Sequence, residues 1–173
     1  MNAIDLFAGA GGLSLALRDS GFRILMANEI NPVFARTHAH NFPDVPLIQK
    51  DINEVTEEDL HSIFGEEDID LVVGGPPCQG FSVFGNRRFI NTREYDPHQD
   101  PRNYLVYQYI RIVSILKPKF FFMENVKGFT NLDGGLFVEE VKKQFRSMGY
   151  DNIWCEVICA ADYGVPQERY RMF

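Results

Sequence analysis

Cysteine is scarce in this chain, with three among 173 residues, too few for a disulfide framework. Cys155 and Cys159 fall in an apolar, strand-like run, where extended rise would place them about 13 Å apart, beyond the reach of a disulfide. They read as small core residues, which leaves Cys78 to be explained. No group of His and Cys has metal-ligand spacing, so no metal is expected. No apolar run approaches the roughly 18–20 residues of a membrane helix, so no membrane partner is expected. The opening residues, Met1 to Asp5, lack the basic segment of a secretory signal, which predicts a cytoplasmic location. Basic residues are outnumbered, 17 against 24 acidic, for a net charge of −7. That balance argues against a free-standing nucleic-acid-binding module. The charges are uneven, however. Acids crowd residues 54–68, while Arg87, Arg88, Arg93, Arg102, Arg169 and Arg171 occupy two other segments. A local basic face forms if those two segments meet.

What is present suits one domain with a real core, spanning residues 1–173, with an apolar fraction of 45%. Apolar strand-like runs at 3–7, 22–27, 46–48, 69–73, 120–123 and 153–158 alternate with helical patterns near 13–20, 32–41, 56–64, 103–116 and 135–148. Such alternation predicts an α/β fold, a doubly wound and mostly parallel sheet. Residues 79–101 break the rhythm with a long polar stretch, a length that is usually functional.

The chemistry-bearing residues gather where strands end. The first strand runs into Phe7-Ala8-Gly9-Ala10-Gly11-Gly12, where glycines allow a tight turn and close approach to a ligand. Ser14 stands where a dinucleotide fingerprint needs its third glycine, so NAD is disfavoured. Glu29 closes the second strand, where an acid can accept hydrogen bonds from ribose hydroxyls, and Asp51 closes the third. The plain alternative is a tight turn with two capping acids. The fourth strand ends in Gly74-Gly75-Pro76-Pro77-Cys78, a rigid turn that holds a cysteine at the rim where open parallel sheets bind ligands. Packing explains a cysteine in such a turn poorly. Glu124 follows four apolar residues, so burial should raise its pKa and let it donate a proton. Arg169 and Arg171 would share one face of an extended segment; by themselves they read as a solvated edge.

Taken in order, these residues resemble the cytosine-5 DNA methyltransferases along essentially the whole chain, Gly75-Pro76-Pro77-Cys78-Gln79 being the most specific match. The resemblance implies a Rossmann-like methyltransferase that takes S-adenosyl-L-methionine as cofactor and double-stranded DNA as substrate, in a restriction-modification or related system. It assigns the cofactor to Phe7, Ala8, Gly9, Gly11, Gly12, Leu13, Glu29, Ile30, Asp51, Ile52, Gly75, Pro77 and Leu105. It makes Cys78 the nucleophile toward carbon 6 of cytosine and Glu124 the acid at ring N3. Arg171 then lies at the O2 side, with Arg169 in support. Contacts to the nucleic acid would come from Gln79, Ser82, Arg87, Arg88, Asn125 and Gln167, the target base being flipped out of the duplex.

The same resemblance implies what is missing. The family continues with a target-recognition region and a closing motif, so a second polypeptide or a further C-terminal region is expected to supply them. An exposed edge or apolar patch on the sheet is expected where such a partner packs. Two rivals stay open: a relative acting on transfer RNA, and a non-catalytic partner. A thiol hydrolase is disfavoured because His38, His40, His61 and His98 fall in no recognisable pairing.

Overall fold

The computed structural model describes residues 1–77 and 104–173. The chain divides into two compact units, Met1–Pro76 with Arg111–Met123, and Pro77–Ile110 with Glu124–Phe173.

The first unit is built on β1 (Asn2–Leu6), β2 (Arg23–Asn28), β3 (Leu47–Ile48), β4 (Leu71–Gly74) and β5 (Phe120–Met123). All pair in parallel, in the order β3-β2-β1-β4-β5. Their near-continuous apolar runs suit strands buried on both faces; Ala3, Ile4, Leu6, Met26, Ala27 and Val72 are fully buried. Between the strands come α1 (Gly12–Asp19), α2 (Pro32–Asn41) and α3 (Glu57–Phe64). Leu17 of α1 and Phe42, just after α2, pack with Ala3, Ala27 and Val73 on one sheet face. Local signals set the helix starts. Asn31 accepts from the backbone N–H groups of Val33 and Phe34 with Pro32 in the first turn, and Thr56 and Asp59 form a capping box. The Asp59 carboxyl is held down to about 2, chiefly by the Thr56 backbone N–H and then by Lys50.

α4 (Tyr104–Leu116) is shared between the units. In the second unit, the Tyr107 hydroxyl donates to Glu140 at 2.9 Å. Phe129, Phe137 and Phe145 fill that unit's interior, against α5 (Leu136–Ser147). The remaining strands are β6 (Asn125–Val126), β7 (Val157–Cys159) and β8 (Tyr170–Met172), an antiparallel sheet in the order β6-β8-β7.

The parallel Rossmann-like sheet is as expected for five strands. The sixth expected strand differs: regular pairing begins only at Val157, and it joins the antiparallel sheet. The apolar run 153–158 carries no information on strand direction, and β8 turns back beside it without a crossover helix. Cys155 and Cys159 are free thiols, half-buried and buried. On β5, Phe120 is 69% and Phe122 38% exposed, an apolar face of the kind expected. With Leu13, Ala16 and Leu17 of α1 they line an open cleft of about 610 Å³. Among the described residues no helix is long and apolar enough to cross a membrane, and no His/Cys/Asp/Glu group could hold a metal.

Candidate functional site

The carboxyl-terminal rim of the parallel sheet gathers the cofactor residues expected in the first unit. At the end of β1 the chain turns through Phe7, which adopts φ 58°, and Gly9 and Gly11 at φ 57° and 101°. A non-glycine residue in the left-handed region is strained, and such strain concentrates at functional sites. Gly12 opens α1. Among the described residues, a Cβ at Gly9 or Gly12 would meet nothing within 4 Å.

Glu29 closes β2, 8% exposed. Its Oε2 accepts from the Gly9 N–H at 2.8 Å and its Oε1 from the Asn31 N–H at 2.7 Å. Two backbone donors therefore fix the carboxylate, one of them from the glycine turn itself. Ile30 follows, with 58% of its surface exposed, an apolar face on the rim beside a fixed acid. Asp51 begins a short 3-10 turn, Ile52–Glu54. Its Oδ1 accepts from the Asn53 backbone and side chain at 2.9 and 2.8 Å. Among the described residues no group bonds Oδ2.

Two further residues hold the Asp51 turn. The Asn28 amide donates to the carbonyls of Ile48 and Lys50, both at 3.0 Å. Arg111 of α4 donates to the carbonyls of Ile52 at 2.7 Å and Val55 at 3.0 Å. An arginine on an amphipathic helix reads as a solvated charge, so nothing local marks it as a clamp on residues so distant in sequence. Gly75 sits at the end of β4, half-buried, and Pro77 is exposed.

In the second unit, Glu124 and Arg171 meet. Arg171 Nε lies 2.8 Å from Glu124 Oε1, with the side chains 24% and 28% exposed. The pairing of Val126 with Arg171 across β6 and β8 brings them together. The sequence expectation rested on burial alone and lacked this partner. Arg171 also donates to the Tyr170 carbonyl at 2.7 Å. Arg169 lies outside β8, exposed, with its carbonyl accepting from Ala160 N–H. Asn125, expected at the nucleic acid, is 2% exposed and accepts from its neighbour Val126 N–H at 2.9 Å. Gln167 is exposed, and Leu105 is half-buried in the first turn of α4. Cys78, Gln79, Ser82, Arg87 and Arg88 lie outside the described residues.

His38 has a partner that is not a cysteine: its Nε2 lies 2.9 Å from Ser14 Oγ, which lies 2.6 Å from Asp5 Oδ2. All three side chains are fully buried, so no substrate reaches them and the arrangement is no hydrolase site. Ser14 stands between the acid and the imidazole, instead of the imidazole between the other two.

The model of the C-5 cytosine-specific DNA methylases matches residues 1–173. The chain belongs to that family. Over 172 residues it is 45% identical to the type II methyltransferase M.XorII of Xanthomonas oryzae pv. oryzae, covering 98% of this chain and 38% of that protein. It is 37% identical to M.AquIA of Picosynechococcus, covering 98% of this chain and 69% of that protein. A prophage-encoded E. coli protein described as a DNA modification methyltransferase superposes with a TM-score of 0.82 at 36% identity, covering 99% of this chain and 45% of its own. The family member described here thus spans less than half of M.XorII and of the E. coli protein.

Proposed function

We propose that this family member forms the catalytic and cofactor-binding part of an enzyme that methylates carbon 5 of cytosine in double-stranded DNA. The observation that carries the reading is the Glu29 carboxylate, pinned by Gly9 and Asn31 beside the glycine turn. That is the acid-and-loop arrangement a nucleoside ligand requires.

The residues fit S-adenosylmethionine. Glu29 would accept from the ribose hydroxyls. Asp51 Oδ2 would accept from the adenine amino group, and Ile30 and Ile52 would flank the ring. Phe7, Ala8, Gly9, Gly11, Gly12 and Leu13 would form the floor, with Gly75 as a further contact. When bound, this cofactor supplies an electrophilic methyl group.

The chain's own residues do the rest. Cytosine C5 is a weak nucleophile. The Cys78 thiolate adds to C6 while Glu124 delivers a proton to N3, which converts the ring to an enamine with a nucleophilic C5. Cysteine suits this role because its thiolate adds readily and leaves readily. After methylation at C5, loss of the C5 proton to a water base, expulsion of the thiolate and return of the N3 proton to Glu124 restore the neutral aromatic ring. Arg171 holds Glu124 in place and lies toward the O2 side, with Arg169 in support. Gln79, Ser82, Arg87, Arg88 and Gln167 would contact the nucleic acid around the flipped base.

The net charge of −7 opposes loading onto DNA unaided. Every described element already has a place in a sheet, a helix or the rim, so recognition of a target sequence calls for a further region or a second polypeptide. The setting inferred is a restriction-modification system in the cytoplasm.

The test is transfer of labelled methyl groups to duplex DNA, with the product base identified. 5-Methylcytosine at a defined short site, formed only when a recognition region is supplied, is the expected result. Robust site-specific methylation by residues 1–173 alone would contradict the division of labour, and methylation of another base or of transfer RNA would contradict the reaction.

A further inference from the structure

Three polar side chains lie wholly buried behind the glycine turn, and the proposed chemistry uses none of them. Asp5 is on β1, immediately before the turn. Ser14 is on α1, immediately after it. His38 is on α2. All three have 0% exposure. Ser14 Oγ lies 2.6 Å from Asp5 Oδ2 and 2.9 Å from His38 Nε2. The two outer atoms, Asp5 Oδ1 and His38 Nδ1, are buried without partners among the described residues. His38 packs on Phe42 with ring centroids 4.9 Å apart, and both rings lie where a Cβ at Gly11 would go. The chain of bonds therefore joins the two ends of the turn and backs its middle.

We propose that Asp5, Ser14 and His38 are positioning residues for the cofactor loop, sharing a proton along a buried hydrogen-bonded chain that fastens both ends of the glycine turn. The proposal rests on the reading of residues 7–13 as that loop.

A serine hydroxyl has one proton, and two of the wirings this permits differ in where Asp5's charge lies. In one, Ser14 donates to an ionised Asp5 and accepts from His38 Nε2–H. Asp5 Oδ1 is then a buried anionic oxygen with no donor. In the other, protonated Asp5 donates to Ser14, which donates to His38 Nε2, and His38 carries its own proton on Nδ1. The unmet groups are then a neutral carbonyl and an N–H. Leaving a charged oxygen unpaired in the interior costs more than leaving neutral groups unpaired, so the second wiring is favoured at and below neutral pH.

The surroundings act in the same direction. Burial pushes the Asp5 carboxyl up to about 7 against the opposing Ser14 hydrogen bonds, and Glu29 adds to the rise. Burial lowers His38, with Glu29 raising it and Arg18 lowering it. As Asp5 ionises, its charge repels the Glu29 carboxylate, which holds Gly9. The latch therefore loosens and the loop's grip on a nucleoside weakens as pH rises through about 7. Because Asp5 binds its proton more tightly in the folded chain, its contribution to stability is full below the unfolded value, about 4, and is lost as pH rises through about 7.

Asp5→Asn mimics the protonated wiring, since its amide can donate to Ser14. Carbon NMR of the aspartate carboxyls, thermal unfolding, and calorimetry with S-adenosylhomocysteine are measured between about pH 6 and about pH 8. The expected wild-type result is one carboxyl titrating near neutrality, stability falling with pH, and affinity several-fold weaker at the upper pH. Asp5→Asn should lack the titration and be flat in the other two. Ser14→Ala should move the carboxyl's midpoint, and it serves in place of Asp5→Asn should that variant not fold. No aspartate titrating near neutrality, or Asp5→Asn keeping the wild-type pH dependence, overturns the shared proton. Ser14→Ala and Asp5→Asn leaving affinity and its pH profile unchanged overturns the positioning role. Absence of nucleoside binding at either pH instead removes the cofactor-loop reading, and the positioning role with it, while the carboxyl titration still decides the proton.

Discussion

Glu124 and Arg171 form an ion pair of 2.8 Å at the junction of β6 and β8. Two partly shielded charges at this distance act as a unit, so their substitutions should not add. Glu124→Gln should slow methyl transfer by about 10²–10⁴-fold, the usual contribution of a general acid. Arg171→Ala should slow it as well, and the double substitution should be little worse than the poorer single one. Arg171→Lys keeps the charge but not the planar fork, and should recover only part of the loss. Steady-state rates with the recognition region supplied check this; fully additive losses would separate the two roles.

At the nucleoside end, Glu29 binds the loop as well as the proposed ligand. Glu29→Ala should weaken cofactor binding by roughly 1–3 kcal/mol, the scale for lost hydrogen bonds to a charged group. It also frees the Gly9 and Asn31 N–H groups. Calorimetry on the two proteins decides it, and equal affinity would remove Glu29 from the site.

Gly11 and Gly12 are neighbours with opposite demands. At Gly11, φ is +101° and a Cβ would run into Phe42 and His38, both buried. Gly11→Ala should destabilise the fold by about 1–3 kcal/mol. Among the described residues a Cβ at Gly12 meets nothing within 4 Å, and Gly12 begins a helix, so Gly12→Ala should stabilise the fold by up to about 1 kcal/mol. If Gly12 faces the cofactor, affinity should nonetheless drop. Chemical denaturation and calorimetry together separate the two effects. Equal destabilisation by both substitutions would contradict this geometry.

The parallel sheet and its rim were legible in the sequence because strand-end residues such as Glu29 and Asp51 interrupt apolar runs sharply. The glycine turn was legible for the same reason. What was not legible depends on distance in sequence. Ser14 looked only like a missing glycine, and His38 like one of four scattered histidines, because nothing local shows that α1 and α2 bring them to Asp5. Arg111 clamps Ile52 and Val55, and nothing local marks it for that task. The direction of β7 was hidden because an apolar run is the same in either sense.

Asp59 sets the response to acid. Its carboxyl is held at about 2 by the Thr56 N–H and Lys50, so its contribution to stability is present above the ordinary carboxylate range and lost as pH falls toward 2. Asp59→Asn should flatten the acid limb of the stability profile. Thermal unfolding across that range tests it, and an unchanged acid limb would place the capping box outside the account.

Trapping the covalent adduct tests the proposed attack of Cys78 on cytosine. Duplex DNA carrying 5-fluorocytosine at the target should hold the protein covalently after methyl transfer, because fluorine cannot leave as a proton does. With the recognition region supplied, the adduct should map to Cys78, vanish in Cys78→Ser, and persist in Cys155→Ser and Cys159→Ser. An adduct at any other residue, or one that survives Cys78→Ser, would contradict the account.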